Sequence, residues 1–98
     1  MAIAVTLDVK GGTLQQYDQA LQKMGHRPGG PGSAPGALFH WVTKTADGIR
    51  VTDVWETREQ FDKFAQEKIG PISQEVGFAQ PELQFFEVHN YNTAGPKS

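Results

Sequence analysis

The pattern of apolar and polar positions along the chain predicts four strands and two helices. Short stretches rich in β-branched and aromatic residues predict strands over residues 2–9, 37–44, 49–56 and 83–90. In the first of these apolar residues occupy every second position, and in the third they do so except at Asp53, as expected for one buried face. Spacings of three and four predict a helix over 13–24 and another over 57–69. Pro71 is expected to break or kink the second helix, leaving a short piece over 71–76.

The third strand runs directly into a capped helix. Asp53 and Trp55 share the strand face that also carries Ile49 and Val51. Thr57 and Gln60 have the spacing of a capping box, which predicts that the second helix begins here. The same short stretch therefore supplies a polar and an aromatic side chain beside a helix start.

The dipeptide Asp47-Gly48 predicts a tight hairpin between the second and third strands. A type I′ turn needs positive φ at both central residues, and Asp-Gly is a preferred pair. The register that follows places His40 opposite Trp55. His40 and Asp53 then become diagonal neighbours on one face, within reach of each other.

The order strand, helix, strand, strand, helix, strand predicts an α+β fold of the ferredoxin-like βαββαβ type. A four-stranded antiparallel sheet would carry both helices on one face. The second and fourth strands place apolar residues on both of their faces, which two helices cannot cover. We therefore expect a homodimer whose sheets pack face to face. Residues 1–91 form one domain in this prediction, and residues 92–98 a flexible tail.

Composition excludes several functional classes. The chain has 98 residues, a formal net charge of -2 and no cysteine. We expect no nucleic-acid partner because there is no basic patch, and no cysteine nucleophile or thiolate metal site. No apolar run approaches the roughly 18 residues of a membrane span, and the N-terminus lacks the pattern of a secretory signal. A cytoplasmic protein without membrane contact is the expectation.

Residues 25–36 contain five glycines and three prolines, which predicts a long loop. The glycines do not have the spacing of a phosphate-binding loop. Two interpretations remain open. The loop is either a plain connector or a lid that carries His26 and Arg27 over a substrate.

His40 and Asp53 are the candidate catalytic pair. A carboxylate that orients an imidazole can support general acid–base chemistry near neutral pH. The alternative is a structural hydrogen bond within the sheet. Tyr17, on the first helix, could hydrogen-bond a ligand in the same cavity, or could pack its ring in the core with its hydroxyl in water. The three histidines have no metal-ligand spacing, so we expect no metal.

The chain resembles the dimeric α+β barrel superfamily, and within it the antibiotic-biosynthesis-monooxygenase-like domains. The resemblance rests on element order and on three motifs: Val54-Trp55-Glu56-Thr57 before Phe61 and Phe64, Gly70-Pro71 before Val76-Gly77, and the closing Phe86-Glu87-Val88. It implies that Trp55 lines the substrate cavity. Haem-degrading relatives have a histidine about ten residues after that tryptophan, and polyketide-oxidising relatives an asparagine upstream on the same strand. This chain has neither residue.

Two functions follow from the residues and the resemblance together. The first is a cofactor-independent monooxygenase-like enzyme, or an isomerase, acting on a small aromatic or polyketide-type substrate. His40 would be its base, Asp53 would orient His40, and Trp55, Tyr17, His26 and Arg27 would bind substrate. The second is a non-catalytic dimeric ligand-binding or accessory protein. A cavity lined by the predicted site residues would separate either of these from a purely structural dimer.

Overall fold

The computed structural model describes residues 1–25 and 34–92, and eight elements lie within them. In chain order they are β1 (Ile3–Lys10), α1 (Leu14–Lys23), β2 (Ala37–Thr45), β3 (Gly48–Trp55), α2 (Arg58–Phe64), a π-helical segment (Ala65–Ile69), α3 (Gly70–Val76) and β4 (Glu82–Glu87). The last strand is shorter than predicted. Residues 26–33 and 93–98, which include most of the predicted loop and tail, lie outside the described residues.

The strands form one antiparallel sheet in the order β2-β3-β1-β4. Tyr17 of α1 contacts His40, and Phe61 of α2 contacts Trp55, so both helices lie on the same face. The predicted ferredoxin-like α+β fold is therefore confirmed. No helix in the described ranges is long and apolar enough to cross a membrane.

The core lies between the helices and the central strands. Val5, Leu7, Trp55 and Phe61 form a buried cluster, in which Phe61 is 1% exposed. The Phe61 ring meets Trp55 and Phe85 edge-on, with centroids 5.8 and 5.7 Å apart. Burial of a Phe side chain contributes about 1.5–3 kcal/mol. Because Trp55 is the last residue of β3, this cluster holds the C-terminal end of the strand that carries Asp53.

The predicted β2–β3 register is wrong by two residues. Gly48 is the first residue of β3 and pairs with Thr45, so the two-residue turn is Ala46-Asp47. His40 consequently lies directly opposite Asp53 and not opposite Trp55. A shift of two residues keeps every side chain on its face, so His40 and Asp53 still share one.

A glycine is needed at position 48 because the backbone packs closely there, and not because φ is positive. Its φ is not among the positive values, which rules out the predicted type I′ turn. A Cβ at position 48 would collide with the carbonyl oxygen of Val9. The Gly11 N–H also donates to the Asp47 carbonyl over 2.7 Å, which ties this turn to the end of β1. The neighbouring strand, rather than the local turn preference, therefore decides the register.

A bulge in β2 separates the two ends of that strand. Ala37 pairs with Trp55, whereas Phe39 pairs with the adjacent Val54, so Leu38 is the additional residue. Ala37 therefore packs against the core cluster, and Phe39 reaches the opposite face.

The predicted disruption at Pro71 takes the form of a π-helical segment. The chain stays helical from 58 to 76, but the Gly70 N–H donates to the carbonyl of Ala65, five residues back. Widening the turn shifts the hydrogen-bond register just before the residue that has no N–H. Pro71 then falls in the first turn of α3, where an N–H is not needed.

The sheet face without helices, here called the open face, has three cross-strand rows. The first is apolar, the second is mixed and the third is largely charged. They are Phe39–Val54–Ala4–Phe86, Trp41–Thr52–Thr6–Gln84 and Thr43–Arg50–Asp8–Glu82. Trp41 is 50% exposed and Phe86 is 52% exposed. Apolar groups thus occupy both faces of the sheet, as the sequence indicated.

Candidate active site

Four side chains form one continuous hydrogen-bonded network, here called the tetrad: Tyr17, His40, Asp53 and Trp55. Asp53 Oδ1 is 2.5 Å from His40 Nδ1, and the Trp55 indole Nε1–H donates to Asp53 Oδ2 over 3.2 Å. The Tyr17 hydroxyl is hydrogen-bonded to His40 Nε2. Both oxygens of Asp53 and both nitrogens of His40 are therefore engaged inside the tetrad.

The fold places each member by a simple local rule. Asp53 and Trp55 are two residues apart on β3, so they project from the same face and the indole can reach the carboxylate. His40 is directly opposite Asp53 on β2. Tyr17 projects from α1, which Ala20 and Leu21 anchor by burial. Three separate elements thus converge on one carboxylate.

Burial decreases from Trp55 through Asp53 to His40, and Tyr17 beyond it is again partly buried. Trp55 is 2% exposed and Asp53 is 5% exposed, whereas the His40 side chain is 41% exposed. A carboxylate removed from water costs free energy unless donors satisfy it, and here two N–H groups do so. The imidazole therefore connects a buried anion with the protein surface.

With Asp53 ionised and His40 neutral, the hydrogen bonds select one tautomer of the imidazole. Ionised Asp53 can only accept, so His40 Nδ1–H donates to it. In the neutral imidazole Nε2 is then the acceptor, and the Tyr17 O–H donates to it. Burial, followed by the negative charges of Asp53 and Asp18, raises the pKa of Tyr17 to about 12. The phenol thus keeps its proton at neutral pH.

This arrangement can accept a proton. An imidazole whose Nδ1–H is held by a carboxylate is oriented for general base catalysis at Nε2. Asp53 would stabilise the imidazolium that forms, as carboxylates do in other acid–base sites. Trp55 would hold the second carboxylate oxygen in place, which limits rotation of Asp53.

The structure brings four of the six predicted site residues together. Tyr17, His40, Asp53 and Trp55 are in contact, whereas His26 and Arg27 lie outside the described residues. Trp55 packs its ring against Phe61 and Phe64. Its predicted contact with a ligand stays a prediction. The sequence did not lead us to predict the hydrogen bond from Trp55 to Asp53, although the alternation of β3 already places the two residues on one face.

A small cavity of about 170 Å³ lies at the start of α1, away from the tetrad. It is lined by Gly12, Thr13, Leu14, Lys44 and Ile49. Within the described residues, no group of three or more His, Cys, Asp or Glu side chains is arranged to hold a metal ion. The side chains of the tetrad themselves can carry out proton transfer.

Comparison with solved structures identifies the fold. A candidate antibiotic biosynthesis monooxygenase from Chloroflexus aurantiacus superposes with a TM-score of 0.66 at 18% identity, covering 97% of this chain and 100% of that one. The chain has the antibiotic-biosynthesis-monooxygenase-like (ABM-like) fold. SnoaB from Streptomyces nogalater, a cofactor-independent oxygenase, shares this ABM-like fold with a TM-score of 0.58 at 16% identity, over 92% of this chain and 94% of SnoaB.

A third ABM-like structure holds a ligand. The monooxygenase ActVA-Orf6 from Streptomyces coelicolor, in complex with nanaomycin D, superposes with a TM-score of 0.57 at 15% identity, over 96% of this chain and 92% of that one. No protein-family model matches the sequence, and neither does any curated protein. At these identities the comparisons show the fold, so the tetrad has to be argued from its own geometry.

Proposed function

We propose that this chain is a cofactor-independent monooxygenase-like enzyme that acts on a small aromatic or polyketide-type substrate. The observation that carries the proposal is the oriented imidazole: His40 is held by a buried, doubly hydrogen-bonded Asp53 and reaches the surface beside Tyr17. The ABM-like fold supports it, because SnoaB is a cofactor-independent oxygenase and ActVA-Orf6 binds nanaomycin D.

The proposed reaction begins with removal of a proton from a phenol or enol. The resulting anion is electron-rich and can transfer an electron to O₂, after which the two radicals combine at the ring carbon. Loss of water from the hydroperoxide then leaves a carbonyl. Overall, a CH₂ group becomes C=O, or an aromatic C–H and a phenolic C–OH together become two C=O groups. In either case one O₂ is consumed and one water is released. The proton taken up by the tetrad returns to the departing oxygen.

Asp53 and Trp55 prepare the base in this proposal. Positioned general bases contribute about 10²–10⁴-fold to a rate. Asp53 sets the Nδ1–H tautomer and stabilises positive charge on the ring. Trp55 acts as a positioning residue through the carboxylate. His26 and Arg27, proposed to bind substrate, follow α1, the helix that carries Tyr17, in the sequence.

The test is oxygen consumption with dithranol, a planar dihydroxyanthrone whose oxidation gives a coloured anthraquinone. His40→Gln and Asp53→Asn should each lower the enzymatic rate above autoxidation by about 10²-fold or more. His89→Gln is the matched control, since this exposed histidine lies beyond β4. Equal rates for all three variants and the wild type would overturn the proposal.

We also propose that the protein is a homodimer formed through the open face. The apolar row ends in Phe86, and Tyr91 packs edge-on against Phe39 of that row, with centroids 5.0 Å apart. Large aromatic side chains exposed together favour association. A second copy of the chain would cover them without requiring a different partner protein.

The alternative function is a non-catalytic dimeric ligand-binding or accessory protein. One observation favours it: the polar atoms of His40 and Asp53 are already satisfied inside the tetrad. A closed network of this kind could have a purely structural role, which is to hold β2 against β3. The dithranol assay separates the two functions, because a structural tetrad predicts no rate above autoxidation in any variant.

A further inference from the structure

We propose that Tyr17, and not His40, is the catalytic residue that meets the hydroxyl group of the substrate, and that it relays the proton to His40. This inference rests on the proposed function and specifies its first step. It assigns Tyr17 a chemical role in place of the ligand contact that the sequence suggested.

The observation that supports this proposal is that both ring nitrogens of His40 already have hydrogen-bond partners. His40 has two ring nitrogens; Nδ1 faces Asp53 and Nε2 faces the Tyr17 hydroxyl. A substrate hydroxyl that approached His40 would find no free acceptor atom on the ring. The Tyr17 oxygen, in contrast, donates its single proton to Nε2 and keeps a lone pair that can accept from a substrate.

Packing keeps this hydrogen bond in place. The Tyr17 and His40 rings are nearly parallel, with an interplanar angle of 14° and centroids 5.8 Å apart. Tyr17 is half-buried on a helix that the buried Ala20 and Leu21 fix to the sheet. Displacing the phenol from Nε2 would therefore require movement of α1 or a change of rotamer. A relay through the phenol needs neither.

The step is a transfer of two protons. The substrate O–H bond breaks and its proton forms a new O–H bond on Tyr17, while the original Tyr17 proton passes to His40 Nε2. The products are a substrate anion, a neutral Tyr17 and an imidazolium beside the Asp53 carboxylate. No electron changes hands in this step. The positive charge ends next to the buried negative charge, where it is stabilised.

The acidity of Tyr17 agrees with a relay. With its pKa raised to about 12, chiefly by burial and then by Asp53, the phenol does not supply a tyrosinate base at neutral pH. It can accept the substrate proton only as it gives up its own. A phenol with this property transmits a proton without ionising.

The experiment follows the ionisation of alizarin, a hydroxyanthraquinone whose visible absorbance changes when its phenol loses a proton. Just below the pH at which free alizarin ionises, the wild type should bind it largely as the anion. In Tyr17→Phe the ring packing is kept, and the ionised fraction of bound alizarin should fall about tenfold. His40→Gln should give the same loss. Tyr91→Phe removes the hydroxyl of a tyrosine that packs on Phe39 of the open face, and it should behave as wild type.

The outcomes distinguish the relay from the function on which it rests. If bound alizarin ionises as fully in Tyr17→Phe as in the wild type, but not in His40→Gln, His40 takes the proton directly and the relay is wrong. If the wild type neither binds nor ionises alizarin, the proposed function fails and the relay fails with it. Tyr17→Phe loses one hydrogen bond and keeps the ring packing, so the variant remains folded.

Discussion

The two faces of the sheet are made by the same strands and have opposite environments. On the helix-covered face Val5 is fully buried and Ile49 is 1% exposed, whereas on the open face Trp41 and Phe86 are about half exposed, at 50% and 52%. Adjacent residues of a strand point to opposite faces, and on the open face Val54 is buried between more exposed neighbours. The chain covers the first face with its own helices and leaves large apolar side chains of the second face exposed.

Each face of the sheet also has one carboxylate that is paired with a basic side chain, and the two pairs differ. Asp53 is buried on the covered face and takes part in the tetrad, whereas Asp8 on the open face pairs with Arg50 at 2.7 Å in a more solvated setting. The hydrogen bond and charge of Asp8 raise the pKa of Arg50. Both pairs bridge adjacent strands, but only in the covered pair is the carboxylate itself buried within a hydrogen-bonded network.

The largest expected effect is loss of the covered core. Phe61→Ala should lower the free energy of unfolding by about 3–5 kcal/mol, because it leaves a cavity between Trp55 and Phe85. Phe86→Ala, on the open face, should cost about 1 kcal/mol or less while the protein is dilute enough to be monomeric. Urea unfolding of both variants measures the difference, and equal losses would contradict the contrast between the faces.

A charge on the open face should affect association rather than folding. Phe86→Asp should raise the dimer dissociation constant about 100-fold, equivalent to about 2.7 kcal/mol, because it buries an unpaired carboxylate in the interface. Gln66→Asp adds the same charge at an exposed helical position and should not change it. Light scattering reports the mass. A wild type that stays at the 10.8 kDa of one chain at micromolar concentration would disprove the homodimer.

The two carboxylates should differ in their contribution to stability. Asp53→Ala should cost about 1–3 kcal/mol, because the buried Trp55 indole loses its acceptor. Asp8→Ala should cost less than about 1 kcal/mol, as is usual for an exposed ion pair. The comparison uses chemical denaturation of the two variants under identical conditions. A cost for Asp8→Ala equal to that for Asp53→Ala would mean that burial is not the deciding factor.

The smallest effect concerns the ionisation of Tyr17. Its pKa is raised to about 12 from the ordinary tyrosine value of 10.0, so between these values the folded protein holds a proton that the unfolded chain has lost. The free energy of unfolding should therefore decrease as the pH rises through this range. In Tyr17→Phe that part of the decrease should disappear. Near-ultraviolet absorbance of tyrosinate follows the same titration, and a Tyr17 signal that ionises near 10 would refute the assignment.

Local patterns were sufficient to predict the elements and their faces. The alternation in β1 and β3 predicted which residues are buried, and Thr13 and Thr57 cap α1 and α2 as expected. The register predicted from the Asp47-Gly48 turn put His40 and Asp53 on one face. A register error of two residues left that conclusion intact, because side chains repeat every two positions.

The register itself depended on a distant contact. Asp47-Gly48 has the composition of a type I′ turn, but Gly48 is required where the Val9 carbonyl crosses close to its Cα. A local turn rule cannot detect a neighbouring strand. The position of His40 directly opposite Asp53, and hence the short hydrogen bond between them, followed from that strand.

The sequence alone determined the order of the elements, the two apolar faces of the sheet and the residue types of the candidate site, because these depend on periodicity and composition. The tertiary structure decided the register of the hairpin, the π-helical passage before Pro71 and the convergence of Tyr17, His40 and Trp55 on Asp53. These features depend on contacts between residues far apart in the chain. Local propensity carries no information about such contacts, whereas packing in three dimensions does.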